Sequence, residues 1–186
     1  AGERIAIIGP NGIGKTTLLE TLMGNLAAQS GVVKWAENAA IGYFAQEHGS
    51  EFAEDMTLLD WVGQWSREGD DEQELRGVLG RMLFSGDSTK KSVTVTSGGE
   101  KVRLMIGKLT LQRPNVLVLD EPTNDLDIET LELLEAFLVA YPGTIFIISH
   151  DQEFLDHTIS RAWVLNGCGK IIESMGHVNA WLPHII

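Results

Sequence analysis

The 186-residue sequence has few of the features that mark a secreted or membrane-spanning protein. Its single cysteine, Cys168, cannot form a disulfide within the chain. No apolar run reaches the length that a bilayer span needs. No secretory signal is visible, because the first residues lead straight into a short apolar segment. These absences predict a cytoplasmic protein without direct membrane insertion, and the length fits one domain with a sizeable core.

Basic residues are also scarce, with 14 Lys and Arg against 26 Asp and Glu and a net charge of −12. Such a charge argues against a general nucleic-acid binder. The charge is uneven, because residues 47–74 carry ten acids and one base, whereas residues 76–113 carry eight bases and two acids. A charge run is more often a solvated face than a contact surface, so the basic window 76–113 only weakly indicates an anionic partner.

Apolar runs alternate with segments of helical periodicity along the chain. The runs predict strands at 5–8, 31–35, 40–45, 116–119, 144–148, 162–165 and 170–172. The periodic segments predict helices at 16–26, 57–65, 72–84, 97–112, 129–140 and 151–156. This alternation predicts an α/β fold with a mostly parallel sheet covered on both faces. We expect one domain over 1–186, with a core of 1–56 and 113–186 and an inserted helical subdomain of 57–112.

The first motif that carries chemistry is G-x-x-x-x-G-K-[ST], between a predicted strand and a predicted helix. The matching segment is Gly9, Pro10, Asn11, Gly12, Ile13, Gly14, Lys15 and Thr16, and Thr17 follows it. Its glycines let backbone N–H groups and the positive helix end surround a β-phosphate. Lys15 adds a cation on the β- and γ-phosphates, and the Thr16 hydroxyl can ligate Mg²⁺. The motif predicts a P-loop that binds ATP with Mg²⁺.

A second motif is the apolar run 116–119, which ends in Asp120 and Glu121. In a parallel sheet the run would place Asp120 beside the phosphate loop, where a carboxylate can hold Mg²⁺. Glu121 would point elsewhere and could accept a proton from the water that attacks the γ-phosphate. Two solvated acids at a strand end are the alternative, which the preceding motif makes less favourable.

A third motif lies at the start of the predicted helix 97–112. Thr96 precedes Ser97, Gly98, Gly99 and Glu100. The two glycines would leave the first helical N–H groups uncovered, which predicts a second anion site. The segment resembles the LSGGE signature of ABC ATPases, with Thr96 in place of Leu. The resemblance implies a P-loop NTPase fold in which two domains enclose two ATP molecules head to tail, each signature serving the opposite site.

Three further residues resemble ABC positions in the expected order. Gln46 resembles the Q-loop glutamine, which implies contact with Mg²⁺ and the attacking water. Asp127 resembles the D-loop aspartate at the interface between domains. His150 resembles the switch histidine on the γ-phosphate; a single histidine is more often structural, but this one follows a predicted core strand.

The run 120–127 looks like the ABC-F branch, because transporter subunits usually have Ser or Ala where Asn124 stands. The front half, 5–85, resembles the second ATPase domain of YbiT-type proteins. The back half, notably Asp125 and 129–135, looks more like the Uup type. The chain is therefore interpreted as a divergent relative or a hybrid of the two.

ABC-F proteins are soluble, carry two ATPase domains on one chain and act on the ribosome. The resemblance thus implies an ATPase that uses ATP and Mg²⁺, with a second ABC ATPase domain as partner and the ribosome and its rRNA as partners of a longer parent. An ATPase subunit of an ABC membrane transporter is the alternative. A non-catalytic interaction module with intact motifs is a third possibility.

The sequence departs from the family at both ends. ABC domains have an N-terminal β-segment with an aromatic residue that stacks on adenine, but this sequence starts only eight residues before Gly9. We therefore expect weaker or less base-selective nucleotide binding. The linker that reaches toward tRNA in ABC-F proteins is not in the sequence, and residues 175–186 are only loosely similar to the family's terminal helix.

Overall fold

The computed structural model describes residues 2–45, 49–167 and 169–176. The strands are β1 (Arg4–Ile8), β2 (Ile41–Phe44), β3 (Val116–Asp120), β4 (Thr144–Ile148), β5 (Arg161–Leu165) and β6 (Ile171–Met175). The helices are α1 (Lys15–Met23), α2 (Leu58–Gly63), α3 (Glu72–Arg81), α4 (Gly98–Gln112), α5 (Ile128–Ala140) and α6 (Gln152–Thr158). Three short 3₁₀ helices lie at Gly49–Phe52, Gly86–Lys90 and Val93–Val95.

The six strands form one sheet in the order β2-β3-β4-β1-β5-β6. All neighbours are parallel except β6, which runs antiparallel to β5. All five residues of β3 are buried, as expected of a strand covered on both faces. Its Val116 and Val118 pack in a core cluster with Ile5, Ile7 and Leu19. The predicted α/β fold with a mostly parallel sheet is confirmed.

The described residues form two compact units. The first contains those of 1–46, 114–122 and 141–186, and therefore the whole sheet. The second contains those of 47–113 and also 123–140, because α5 packs on α4. This division differs from the predicted subdomain of 57–112, which did not include α5. Among the described residues, no helix combines the length and the apolar character that crossing a membrane requires.

The strand predicted at 31–35 is wrong. Its β-branched residues favour an extended ladder, but no described strand pairs with the segment, and Val32 is 92% exposed. Trp35 holds the segment instead, because its Nε1 donates to the Leu22 carbonyl at 2.7 Å and its ring meets Phe146 edge-on. A side-chain anchor thus replaces the backbone pairing that the local pattern predicted.

Candidate nucleotide-binding site

The phosphate-loop motif connects β1 to α1 in a left-handed backbone that only glycine adopts readily. Gly14 caps α1 with φ 104°, and no described side chain caps that helix end. Gly9 has φ 155°, and a Cβ there would lie 2.6 Å from the Leu165 carbonyl oxygen. The loop therefore needs glycine at position 9 for space, and it leaves the first N–H groups of α1 without a side-chain acceptor.

Lys15 lies inside the loop rather than in solvent. Only 8% of the residue is exposed, and its Nζ donates to the carbonyls of Gly9 at 2.9 Å and Pro10 at 3.1 Å. The loop thus curls around its own ammonium group. Charged phosphate oxygens are stronger acceptors than these neutral carbonyls, so the same Nζ can move to a phosphate with little rearrangement of the loop.

Asp120 ends β3 as a buried carboxylate, with 1% of the residue exposed. Neither of its oxygens has a hydrogen bond of normal geometry among the described residues. Burial raises the pKa of Asp120, the Thr16 hydroxyl and the Lys15 charge oppose this shift, and Glu20 adds to it. Lys15, Thr16 and Asp120 therefore lie together, as the sequence predicts. In the strand order β4 lies between β3 and β1, so the acidic strand and the loop strand are not direct neighbours.

Glu121 and His150 contact each other at the ends of β3 and β4. The backbone of Glu121 is left-handed, with φ 48°, and its N–H donates to the Ile148 carbonyl at 2.8 Å. Its Oε1 lies 3.1 Å from His150 Nε2, whereas its Oε2 is buried without a partner among the described residues. The His150 side chain is 59% exposed. The Glu121 carboxylate and the His150 imidazole thus form a pair next to Asp120, and Glu121 Oε2 is buried and available to accept a proton.

This Glu121–His150 contact was missed by sequence reasoning, although a signal existed. Asp120 and Ile148 are register partners in the parallel β3–β4 ladder. Residues that follow the two strands must therefore emerge side by side.

A second missed feature is the Glu20 carboxylate on α1. Tyr43 Oη donates to its Oε1 at 3.0 Å, and Asn25 Nδ2 donates to its Oε2 at 2.6 Å. Burial raises the pKa of Tyr43, and the hydrogen bond to Glu20 raises it further. Glu20 stands one helical turn after Thr16, a spacing that could have indicated its place near the site. It ties α1 to the end of β2. Gln46, which follows β2, lies outside the described residues.

The signature residues lie in the second compact unit. Ser97 caps α4 and forms a capping box with Glu100, with Glu100 N donating to Ser97 Oγ at 3.2 Å and Ser97 N donating to Glu100 Oε2 at 2.8 Å. Lys91 Nζ also donates to both Glu100 oxygens, at 3.0 and 2.9 Å. Burial acts to raise the pKa of Glu100, but the bonds from Lys91 and Ser97 outweigh it and lower that pKa.

The expectation that both signature glycines leave the helix start uncovered needs a correction. Gly98 is exposed, but Gly99 is buried, and the Glu100 amide is already satisfied by Ser97. The open anion-facing surface is therefore narrower than the sequence predicts. Asp127, exposed, precedes α5 in the same unit, and its Oδ1 accepts from Thr130 N at 2.8 Å.

Curated proteins of known sequence resemble this chain. The chain is 54% identical over 181 residues to the ATP-binding protein YbiT of Escherichia coli O157:H7, covering 97% of this chain and 34% of that protein. It is 43% identical over 178 residues to the ATP-binding protein Uup of Escherichia coli strain K12, covering 94% and 28%. The chain thus spans about a third of the length of these curated relatives.

Solved structures share the fold. An inward-facing metal-chelate type ABC transporter matches with a TM-score of 0.71 at 22% identity, covering 94% of this chain and 72% of that chain. A complex of the archaeal ribosomal stalk protein aP1 with the archaeal ribosome recycling factor aABCE1 matches with a TM-score of 0.72 at 26% identity, covering 88% and 32%.

A family model described as ABC transporter matches residues 1–124, two thirds of the chain. The matched segment includes the loop around Lys15, the capped signature turn at Ser97 and the buried Asp120. This chain belongs to the ABC transporter family and is an ABC ATP-binding domain.

Proposed function

We propose that this domain binds Mg·ATP on the loop 9–16 and hydrolyses it when a second ABC domain closes over the site head to tail. The observation that carries the proposal is the Asp120 carboxylate, buried without a normal hydrogen-bond partner among the described residues, beside Thr16 and Lys15. A buried carboxylate in this state is costly unless a cation compensates it.

The residues present fit a magnesium ion. Thr16 and Asp120 offer hard oxygen ligands, and Gln46 is the expected third residue. Within the described ranges, no group of three His, Cys, Asp or Glu side chains could enclose a metal. That scarcity suits Mg²⁺, which is usually held by one or two protein groups together with phosphates and water. When bound, it would neutralise charge on the phosphate oxygens.

Glu121 is suited to act as the general base. Its free Oε2 can accept a proton from the water that attacks the γ-phosphorus, while the bond between that phosphorus and the ADP oxygen breaks. His150, 3.1 Å from Oε1, orients the carboxylate and is exposed enough to reach a γ-phosphate. The Glu121 N–H, which donates to the Ile148 carbonyl, also ties this residue to the end of β4.

The signature turn supports the need for a second domain. Two exposed apolar side chains lie next to the predicted contact residues in the sequence. Val95 precedes the signature and is 65% exposed, and Ile128 follows Asp127 and is 76% exposed. Exposed apolar side chains beside a polar anion site are typical of a surface that another protein covers.

For the parent protein we favour the ABC-F branch and a role on the ribosome, in the cytoplasm. The similarity to YbiT and Uup and the residue Asn124 support this interpretation. One structural neighbour is a ribosome recycling factor in complex with a ribosomal stalk protein. The transporter alternative keeps support from the family description. Sedimentation of the full-length parent with ribosomes, or its recovery with membranes, separates the two.

The basic window 76–113 gives little support to direct RNA binding by this domain. Several of its charges pair with acids of the segment 47–74. The pairs are Lys108–Glu51 at 2.5 Å, Arg76–Glu72 at 2.7 Å, Arg113–Glu74 at 3.4 Å and Arg113–Asp70 at 3.6 Å. Three of the eight bases of the window thus pair with acids of the segment 47–74 within the second unit.

Mixing of two inactive variants tests the paired site. Lys15→Ala removes the loop cation, and Gly98→Asp places a carboxylate at the anion-facing turn. Gly98 is exposed, and a Cβ there meets no described atom within 4 Å, so the second variant should fold. The matched control is Gly80→Asp, an equally open helical glycine in the same unit.

Each of the two variants alone should lose ATP turnover, whereas the control keeps it. An equal mixture should recover about a quarter of the parent rate, because half of the random pairs are mixed and each holds one intact site of two. A mixture that stays inactive while the parent's specific activity rises with concentration would contradict the head-to-tail arrangement. A parent rate strictly proportional to concentration, with Lys15→Ala still active, would contradict the proposed site itself.

A further inference from the structure

The carboxylate of Asp127 lies between the starts of two helices of the same unit. Its Oδ1 accepts from Thr130 N at 2.8 Å, which makes Asp127 the cap of α5. Its Oδ2 faces α4, because a Cβ built on Gly99 would lie 2.7 Å from Oδ2. One oxygen therefore caps α5, and the other packs on the first turn of α4.

Gly99 is buried by this contact. The same Cβ would lie 3.1 Å from Thr130 Oγ1, and Thr130 is fully buried. Gly98, by contrast, is exposed, and a Cβ there meets nothing described within 4 Å. Gly99 must therefore be glycine because a side chain there would clash within the same chain. Gly98 leaves the surface of the turn accessible to another molecule.

Charge reinforces the contact. The Thr130 backbone N–H is the main group that lowers the pKa of Asp127, and the Arg103 guanidinium also lowers it. Arg103 stands one turn after Gly99 on α4, and its guanidinium lies 5.1 Å from the centre of the Phe84 ring. Asp127 therefore stays ionised between the cap of one helix and a cation of the other.

We infer that Asp127 is a positioning residue for the signature turn of its own chain. By packing on Gly99 while it caps α5, it fixes the direction in which Ser97 and Gly98 face outward. The value of this role for catalysis rests on the proposed function, since the turn is there assigned to the nucleotide of the opposite domain. The contact itself exists in the single domain, before any pairing.

Hydrogen exchange of the Glu100 and Lys101 amides, both bonded to Ser97 in the first turn of α4, tests the inference in the single domain. Asp127→Ser keeps a good cap for α5 but is too short to reach Gly99, whereas Asp127→Asn keeps both the cap and the contact. Asp71→Ala is the matched control, because Asp71 caps α3 of the same unit through Glu74 N at 2.8 Å.

We expect exchange of the Glu100 and Lys101 amides to rise about fivefold in Asp127→Ser, the factor that corresponds to one typical cap-sized interaction. Asp127→Asn and Asp71→Ala should leave those amides at the parent rate. If Asp127→Ser exchanged there like Asp127→Asn, Asp127 would be only a helix cap and the inference would fail. It would fail equally if Asp71→Ala raised exchange of the Glu100 and Lys101 amides as strongly.

A double-mutant cycle gives an independent readout. Gly99→Ala adds the Cβ that meets Oδ2, so it should lower the melting temperature, and Asp127→Ser in the same chain should restore part of that loss. Additive losses would overturn the inference. Neither experiment involves ATP turnover, so failure here is distinct from failure of the mixed-variant assay.

Discussion

Asp120→Asn should stabilise the domain without ligand and prevent its stabilisation by Mg·ATP. The parent holds a carboxylate that is 1% exposed and has no normal hydrogen bond among the described residues. A buried polar group without a partner costs about 1–3 kcal/mol, and a charged one costs more. The amide introduced by Asp120→Asn would also be unpaired, so only the cost of burying the charge is removed. We therefore expect the free energy of unfolding to rise by about 1 kcal/mol. In a chain of this length that is a rise of about 2–4 °C in melting temperature.

With Mg·ATP bound, the parent should become more stable than Asp120→Asn. At a free ligand concentration 100 times the Kd, Mg·ATP stabilises the parent by about 2.7 kcal/mol, which exceeds the gain from the amide. Asp120→Asn should gain much less, because it has lost a metal ligand. Asp87→Asn is the matched control, since Asp87 is an exposed partner of Lys90, and its effect should stay within about 0.5 kcal/mol.

The pH dependence fixes the sign of this effect. Burial raises the pKa of Asp120 above its ordinary value of 3.8, so its ionised form destabilises the folded state above that pH. The advantage of Asp120→Asn should therefore be greatest at pH values above the raised pKa, shrink as the pH falls below it and vanish near 3.8. Thermal denaturation from pH 4 to 8, with and without Mg·ATP, measures both effects. If Asp120→Asn melted below the parent without ligand at pH 7, the carboxylate would already be satisfied and the reasoning would be refuted.

Three further predictions test separate parts of the account. Gly9→Ala should lose at least about 1 kcal/mol and most of its ATP affinity, because the new Cβ meets the Leu165 carbonyl at 2.6 Å; parent-like melting and calorimetry would contradict this. Glu100→Gln keeps the capping box but loses the ion pair with Lys91, so its free energy of unfolding at neutral pH should be about 0.5 kcal/mol below that of the parent. Because the pKa of Glu100 is lowered in the folded state, this difference should close as the pH falls below the ordinary Glu value of 4.5. A difference independent of pH would contradict a contribution from the charge. Glu121→Gln should bind Mg·ATP normally but hydrolyse it at least about 100-fold more slowly, and turnover at the parent rate would remove its assigned role.

Much of the sheet could be predicted because parallel strands are buried on both faces. The runs 5–8, 116–119 and 144–148 are continuously apolar for that reason, and each became a strand. The phosphate loop 9–16 could also be predicted, because a glycine-rich motif between a buried strand and a helix is specific for phosphate binding. The strand predicted at 31–35 failed because local β-propensity cannot show whether a partner strand lies alongside.

Long-range order and contacts needed the structure. The sequence predicted that Lys15 and Asp120 meet, but not that β4 separates their strands and brings His150 against Glu121. Likewise, α5 carries an ordinary helical pattern that does not reveal its packing on α4. Those arrangements depend on strand order and on helix faces, which one sequence does not specify.

A crystal structure of the domain with Mg²⁺ and a non-hydrolysable ATP analogue tests the central claim most directly. We expect the triphosphate on the loop 9–16, with Lys15 Nζ moved from the loop carbonyls to the phosphates and the metal between Thr16 and Asp120. A nucleotide bound elsewhere, or a metal held without Asp120 while Lys15 keeps its contacts to Gly9 and Pro10, would contradict the account.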